Sequence, residues 1–231
     1  MLDAPENSIE GIRKAAEFGA DAVEVDVQLS LERVPLLMHD WSPRRTVGLP
    51  GPVRMYPLAL LRRFRVRSGN EPPPTLEEAL NALPGSLSIA IEVKDAAASA
   101  ACWHLVRERK LESRVLFWSY RERAVRYFSK EAPEIETSLL RDPTDPEGLT
   151  RFLTDATRFG ARGISAHWAA ISAQLVGEGH SRRLKVYSWI RDLDLVARKV
   201  SAGMDGIVTD QPREVRAILE GVRDEVHHNI H

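Results

Sequence analysis

Two carboxylates, Glu24 and Asp26, sit in the run Ala22-Val-Glu-Val-Asp-Val-Gln28, where apolar and polar residues alternate without a fault. In a strand, successive side chains face opposite sides, so Val23, Val25 and Val27 share one face and Glu24, Asp26 and Gln28 the other. Positions two residues apart on one face lie about 7 Å apart at Cα, close enough to converge on one hard cation or to share a proton. Left alone in a low-dielectric site the pair would repel, which favours a cation as companion. A second strand, Leu87 to Lys94, repeats the pattern: Ile89, Ile91 and Val93 on one face, and Ala90, Glu92 and Lys94 on the other. A third extended piece, Pro35-Leu-Leu-Met-His39-Asp40, brings a histidine just beyond the first carboxylate pair. A lone histidine is more often structural than catalytic. One beside a carboxylate cluster nevertheless has the position needed to protonate a leaving alkoxide.

These residues need strands to hold them and helices to cover the apolar faces. Asn7 and Glu10 have capping-box spacing ahead of Ile9, Ile12, Ala15 and Ala16, which predicts a first helix with Asn7 at its N-cap and a stop at Gly19. Thr75 and Glu78 repeat that spacing for a helix over 76–83. Helices are predicted over 96–109, 122–132, 146–159, 172–179, 193–202 and 212–222. They alternate with strands over 115–120, 137–140, 163–167, 185–190 and 206–210. Such alternation implies a parallel sheet with right-handed crossovers. No glycine-rich phosphate fingerprint follows any strand, and polar residues collect at several strand ends, which favours an α/β fold of the TIM-type (β/α)8 barrel class. Seven such strands are legible, plus the short piece at 35–39, so one barrel strand is absent from the pattern.

The chain has 231 residues, 43% of them hydrophobic, enough for one barrel domain over 1–231. A formal net charge of -1 argues against a dedicated nucleic-acid binder and leaves small or locally bound ligands open as partners, a small-molecule substrate among them. The single cysteine, Cys102, excludes a disulfide framework and reads as a buried helical thiol. With no apolar run of membrane-spanning length and no signal-peptide pattern, the expectation is a cytoplasmic protein without an integral membrane segment. Residues 41–74 change character, with repeated proline and glycine, and predict a loop and short-helix insertion at the pocket mouth. Arg44, Arg45, Arg54, Arg62, Arg63, Arg65 and Arg67 fall in it without an acidic residue between Asp40 and Glu71. They form either a solvated face or a rim that draws an anion toward the pocket.

The segments Ala4-Pro-Glu-Asn-Ser8, Gly19-Ala-Asp-Ala-Val-Glu-Val-Asp-Val27, Leu36-Leu-Met-His-Asp40, Pro74-Thr-Leu-Glu-Glu-Ala79, Ile91-Glu-Val-Lys94, Val186-Tyr-Ser-Trp189 and Gly203-Met-Asp-Gly-Ile-Val-Thr-Asp-Gln-Pro212 resemble, in order and spacing, the glycerophosphodiester phosphodiesterase family. The resemblance implies a TIM-type barrel, a divalent cation such as Mg or Ca, and hydrolysis of glycerophosphodiesters to an alcohol and sn-glycerol 3-phosphate. It implies metal ligation by Glu24, Asp26 and Glu92 and a general acid or base role for His39. It also implies a phosphate contact by Lys94 and a pocket-lining role for Trp189, which composition alone reads nearly as well as a large core residue. His167, at the end of the preceding strand, is a further candidate for contacting substrate.

The chain departs from the family pattern in two places. The family's first strand, ending His-Arg-Gly, has no counterpart ahead of Pro5, and Ile190-Arg-Asp192 stands where the family tends to carry Thr-Val-Asn. The first departure predicts a notched barrel in which 22–28 and 206–210 face a gap while the three carboxylates still converge. It also leaves two functional readings: a metal-dependent phosphodiesterase, or a catalytically impaired member that binds a cation and a phosphorylated ligand without turnover. An unrelated barrel isomerase or aldolase would leave the carboxylates and the His-Asp pair unexplained.

Overall fold

The structure is a computed structural model that describes residues 4–66 and 69–228, with side chains as far as residue 221. Arg67 of the arginine run and Met1 to Asp3 lie outside the described residues. The strands are β1 (Ala22–Leu29), β2 (Pro35–Leu37), β3 (Ser88–Val93), β4 (Val115–Ser119), β5 (Glu136–Arg141), β6 (Gly163–His167), β7 (Lys185–Trp189) and β8 (Gly206–Val208). They form one sheet in the order β2-β1-β3-β4-β5-β6-β7-β8. Every pairing from β1 to β8 is parallel, and β2 folds back antiparallel on the end of β1.

The helices are α1 (Ile9–Glu17), α2 (Arg44–Val47), α3 (Leu58–Leu61), α4 (Leu76–Asn81), α5 (Ser99–Glu108), α6 (Glu122–Glu131), α7 (Pro146–Phe159), α8 (Ala173–Ser181), α9 (Leu193–Val200) and α10 (Pro212–His228). The alternation read from sequence sets this pattern. Val25, Val27, Ile89, Ile91 and Val93 are buried in one cluster with Ile12, Leu76, Cys102 and Phe128 from the covering helices. Cys102 is fully buried on α5, and that burial pushes its thiol up to about 12, so it packs as an apolar group. A second cluster joins Phe152, Leu153 and Phe159 of α7 to Ile164 and Val186 of β6 and β7.

Several boundaries differ from expectation. Ser8, not Asn7, caps α1: its Oγ accepts from Gly11 N at 2.9 Å, while Asn7 adopts a left-handed φ of 52° and turns its amide to Asp26. Either residue type can cap, so local spacing could not separate them. The stop at Gly19 holds: with φ of 74° it lets its own N–H reach Ala16 O and Ala20 N–H reach Ala15 O, a Schellman closure. A 3₁₀ turn at Ala96–Ala98 precedes α5, β8 is only three residues long, and α10 runs on past Val222 to His228.

Thr75 makes the predicted capping box. Its Oγ1 accepts from Glu78 N at 3.1 Å and its N–H donates to Glu78 Oε2 at 2.9 Å. Arg62, just after α3, places Nη1 at 2.8 Å from each oxygen of the same carboxylate, tying the 41–66 excursion to the barrel. Thr75→Ala is therefore expected to cost about 1–2 kcal/mol in urea unfolding, more than an exposed cap, because two elements hang on it. A loss within a few tenths of a kcal/mol would show that the box is ornamental.

The barrel is open where β1 and β8 meet. Among the described residues no strand pairing joins them, as the notched reading expects. The β1 edge is less bare than expected: β2 covers 27–29, Asn7 Oδ1 accepts from Asp26 N at 2.8 Å, and Met38 N donates to Asp26 O at 2.9 Å. Side chains bridge the seam from outside. Arg216 of α10 donates to Gly19 O and to Asp21 Oδ1 at 3.0 Å, and Arg213 lies over the Phe18 ring at 4.3 Å.

Candidate active site

Parallel register places Asp26 directly beside Glu92, and Glu24 lies one inward position earlier on β1. A carboxylate oxygen from each of the three falls within 4.8 Å of the others. Asp26 and Glu92 are buried, at 5% and 7% exposure, and Glu24 Oε1 is buried without a hydrogen-bond partner although the residue as a whole is only half-buried. Burial, then the neighbouring Asp26 and Glu92, push Glu24 well above its ordinary value. Glu92 is raised in the same sense, by burial first.

Lys94, one residue past β3, places its ammonium 2.8 Å from Asp26 Oδ1 and 2.7 Å from Glu92 Oε1. Burial pulls this lysine down, but the two carboxylates outweigh it and hold it above its ordinary value. One ammonium against three carboxylates leaves the cluster formally two charges negative. That deficit, the unpartnered Glu24 oxygen and the all-oxygen donor set suit a divalent hard cation.

His39 Nδ1 contacts Asp40 Oδ1 at 2.7 Å, and Arg45 Nε donates to Asp40 Oδ2 at 2.6 Å. The hydrogen bond from Arg45 holds the Asp40 carboxyl below its ordinary range. His39, Glu92 and Lys94 line one side of the pocket with Trp41 and Arg54, and the carboxylates open onto a wider cavity that reaches His167 and Trp189. His167 and Trp189 are register neighbours on β6 and β7. Trp189 is half-buried, with Arg191 5.5 Å from its ring centroid. His167 is exposed, and its Nδ1 accepts weakly from Ala169 N at 3.3 Å, so part of its role is to cap its own turn.

Three residues were not read from sequence as part of the site. Asn7 donates to Asp26 Oδ2 at 2.8 Å while accepting from Asp26 N, which fixes both ends of that residue. Asp210, past β8, acts on Glu24 to raise it further and lies 3.7 Å from Arg191 Nε. Tyr120, past β4, donates to Asp142 Oδ2 at 3.0 Å, and burial, then that carboxylate, raise its phenol. Asn7 and Asp210 stood inside segments that carry the family resemblance, but neither spacing nor type announced a side chain reaching across the barrel mouth.

A model of the glycerophosphoryl diester phosphodiesterase family matches residues 2–214. The chain belongs to that family, whose members are phosphoric diester hydrolases. The glycerophosphodiester phosphodiesterase of Caldanaerobacter subterraneus subsp. tengcongensis is 27% identical over 223 residues, covering 91% of this chain and 90% of that protein. The glycerophosphodiester phosphodiesterase of Bacillus altitudinis is 25% identical over 233 residues, covering 95% and 94%. Among solved structures, an Oleispira antarctica phosphodiesterase in complex with the product sn-glycerol-3-phosphate superposes with a TM-score of 0.84 at 23% identity, covering 94% of this chain and 92% of that one. A glycerophosphodiester phosphodiesterase from Parabacteroides distasonis gives 0.83 at 23% identity, covering 96% and 92%. These structural likenesses establish the family's TIM-barrel fold for this sheet. Among the described residues, no helix is long and apolar enough to cross a membrane.

Proposed function

We propose that this chain is a metal-dependent phosphodiesterase that hydrolyses glycerophosphodiesters to an alcohol and sn-glycerol 3-phosphate. The observation that carries the reading is the convergence of Glu24, Asp26 and Glu92, with Lys94 between two of them. The three carboxylates would hold Mg or Ca. When bound, such an ion supplies positive charge to the phosphoryl oxygens. Lys94 can turn its ammonium from the carboxylates to a phosphate oxygen as a point charge. With Nδ1 of His39 engaged by Asp40, Nε2 is the nitrogen left to hand a proton to the departing alkoxide. Trp189 and His167 would face the organic part of the substrate across the cavity. Residues 41–74 act as an insertion at the mouth of a single barrel domain, and the lone buried Cys102 suits a reducing, cytoplasmic setting.

The open seam between β1 and β8 favours one alternative, a member that binds a cation and a phosphorylated ligand without turnover, because the site is walled on that side by side chains instead of a strand. Calorimetry followed by assay separates the two readings. Glu92→Gln removes one ligand charge and is expected to weaken Mg or Ca binding at least tenfold, and with it the cation-induced rise in Tm, which follows RT ln(1 + [L]/Kd). Unchanged cation binding in that variant would refute the shared metal site. Cation binding by the parent chain without hydrolysis of glycerophosphocholine or glycerophosphoethanolamine would select the alternative.

A further inference from the structure

Between Trp41 and Val66 the chain carries six arginines and no acidic residue, and the pocket chemistry uses few of them. Arg45 is committed to Asp40 and Arg62 to Glu78, whereas Arg44, Arg54, Arg63 and Arg65 are exposed. Large apolar side chains are exposed beside them: Leu31 is 57%, Trp41 63% and Met55 64% exposed. Backbone hydrogen bonds bring together the segments that carry these three. Leu31 N donates to Tyr56 O at 3.0 Å, next to Met55, and Val53 N donates to Trp41 O at 2.9 Å, next to Arg54. A small core of its own, Leu36, Met38, Val47, Val53 and Leu61, backs the patch and keeps it from collapsing inward. Both acids adjoining the patch in sequence are engaged: Glu32 turns its carboxylate onto Ser30 Oγ and Leu58 N, and Asp40 onto His39 and Arg45. Trp41 and Arg54 also stand at the rim of the pocket that holds His39 and Lys94.

Isolated exposed apolar residues are ordinary, but a backed group of three large ones flanked by unopposed arginines is not. A tryptophan, a methionine and a leucine can enter the boundary between headgroups and acyl chains, while guanidinium groups meet lipid phosphates. A protein partner would require a matching acidic, shaped surface; an anionic bilayer requires only insertable tips and positive charge. We propose that the face formed by Leu31, Trp41, Arg54 and Met55, with Arg44, Arg63 and Arg65 adding charge along the same segment, docks on an anionic lipid surface and sets the pocket mouth against it. Because the proposal concerns attachment, its test needs no turnover.

The full chain is sedimented with vesicles of phosphatidylcholine alone and with vesicles containing roughly a third phosphatidylglycerol, at low and high salt. Expected is pelleting with the anionic vesicles, little with the neutral ones, and release by salt. The double variant Trp41→Ala/Met55→Ala and the single variant Arg54→Glu should each lose about tenfold or more in vesicle affinity, with unfolding midpoints unchanged because all three side chains are exposed. Quenching of tryptophan emission by lipids brominated on the acyl chains should depend on Trp41 and vanish in Trp41→Phe. Failure to pellet with anionic vesicles, equal pelleting with neutral ones, or undiminished binding by the double variant would each overturn the proposal. So would self-association through this face without vesicle binding, which would assign it to contact between protein chains.

Discussion

Lys94→Met is expected to destabilise the cation-free protein by about 3 kcal/mol at neutral pH, the lower end of what removing one partner of a buried ion pair costs. The lysine side chain is 18% exposed, so water softens the loss, but Asp26 and Glu92 are left with no counter-charge within contact. The sign of the pH dependence follows. Glu24 and Glu92 are already raised above their ordinary value of 4.5, and without the ammonium they rise further. A carboxyl raised in the folded state binds more protons there than in the unfolded chain. Its favourable contribution is therefore complete below about pH 4.5 and is lost as pH rises through the folded value. The deficit of Lys94→Met should accordingly shrink as the pH is lowered toward 4.5, and at neutral pH added Mg or Ca should recover much of it. Urea unfolding across pH, with and without cation, reads all three. A deficit independent of both pH and cation would mean that Lys94 is held for packing and not for charge.

His39→Ala is expected to lower turnover of a glycerophosphodiester by on the order of 10²-fold or more, the range for a positioned general acid, with KM little changed. The side chain is 53% exposed and joins no hydrophobic cluster, so the variant should fold as the parent does. Asp40→Asn is expected to cost less, because Asp40 orients the ring and Arg45 would still hold that side chain. A substrate with a good leaving group, such as a nitrophenyl ester, should restore much of the rate to His39→Ala, since it needs no proton. Full activity of His39→Ala on an alkyl leaving group would remove His39 from the proposed mechanism.

What could be read from the residues beforehand was set by period. Alternation in 22–28 and 88–93 determines which face is apolar, and burial of the valines and isoleucines then leaves Glu24, Asp26 and Glu92 nowhere to point but inward. Gly19 and the Thr75-Glu78 box were legible because each satisfies a local rule with few competitors. Asn7 was not legible, because capping by Ser8 and by Asn7 look alike until the partner nineteen residues away, Asp26, is placed. Asp210 and Tyr120 escaped for the same reason: their importance lies in what stands across the barrel mouth, which no local spacing encodes. Whether the β1 edge would be bare or covered was likewise undecidable in advance, since its cover is a hairpin strand and one amide.

The seam described above also bears on how the molecule is assembled in time. From β3 to β8 each strand pairs with the next in the chain, so most of the sheet can be laid down by successive short closures, each costing little loop entropy. The described contacts that span nearly the whole chain, such as Arg216 with Asp21, are exposed side-chain contacts and not a ladder of backbone bonds. A closed barrel must bring its ends together before its last two edges are satisfied. The described sheet, from β1 to β8, can be built from one end to the other, with the contact of Arg216 to Asp21 free to form late.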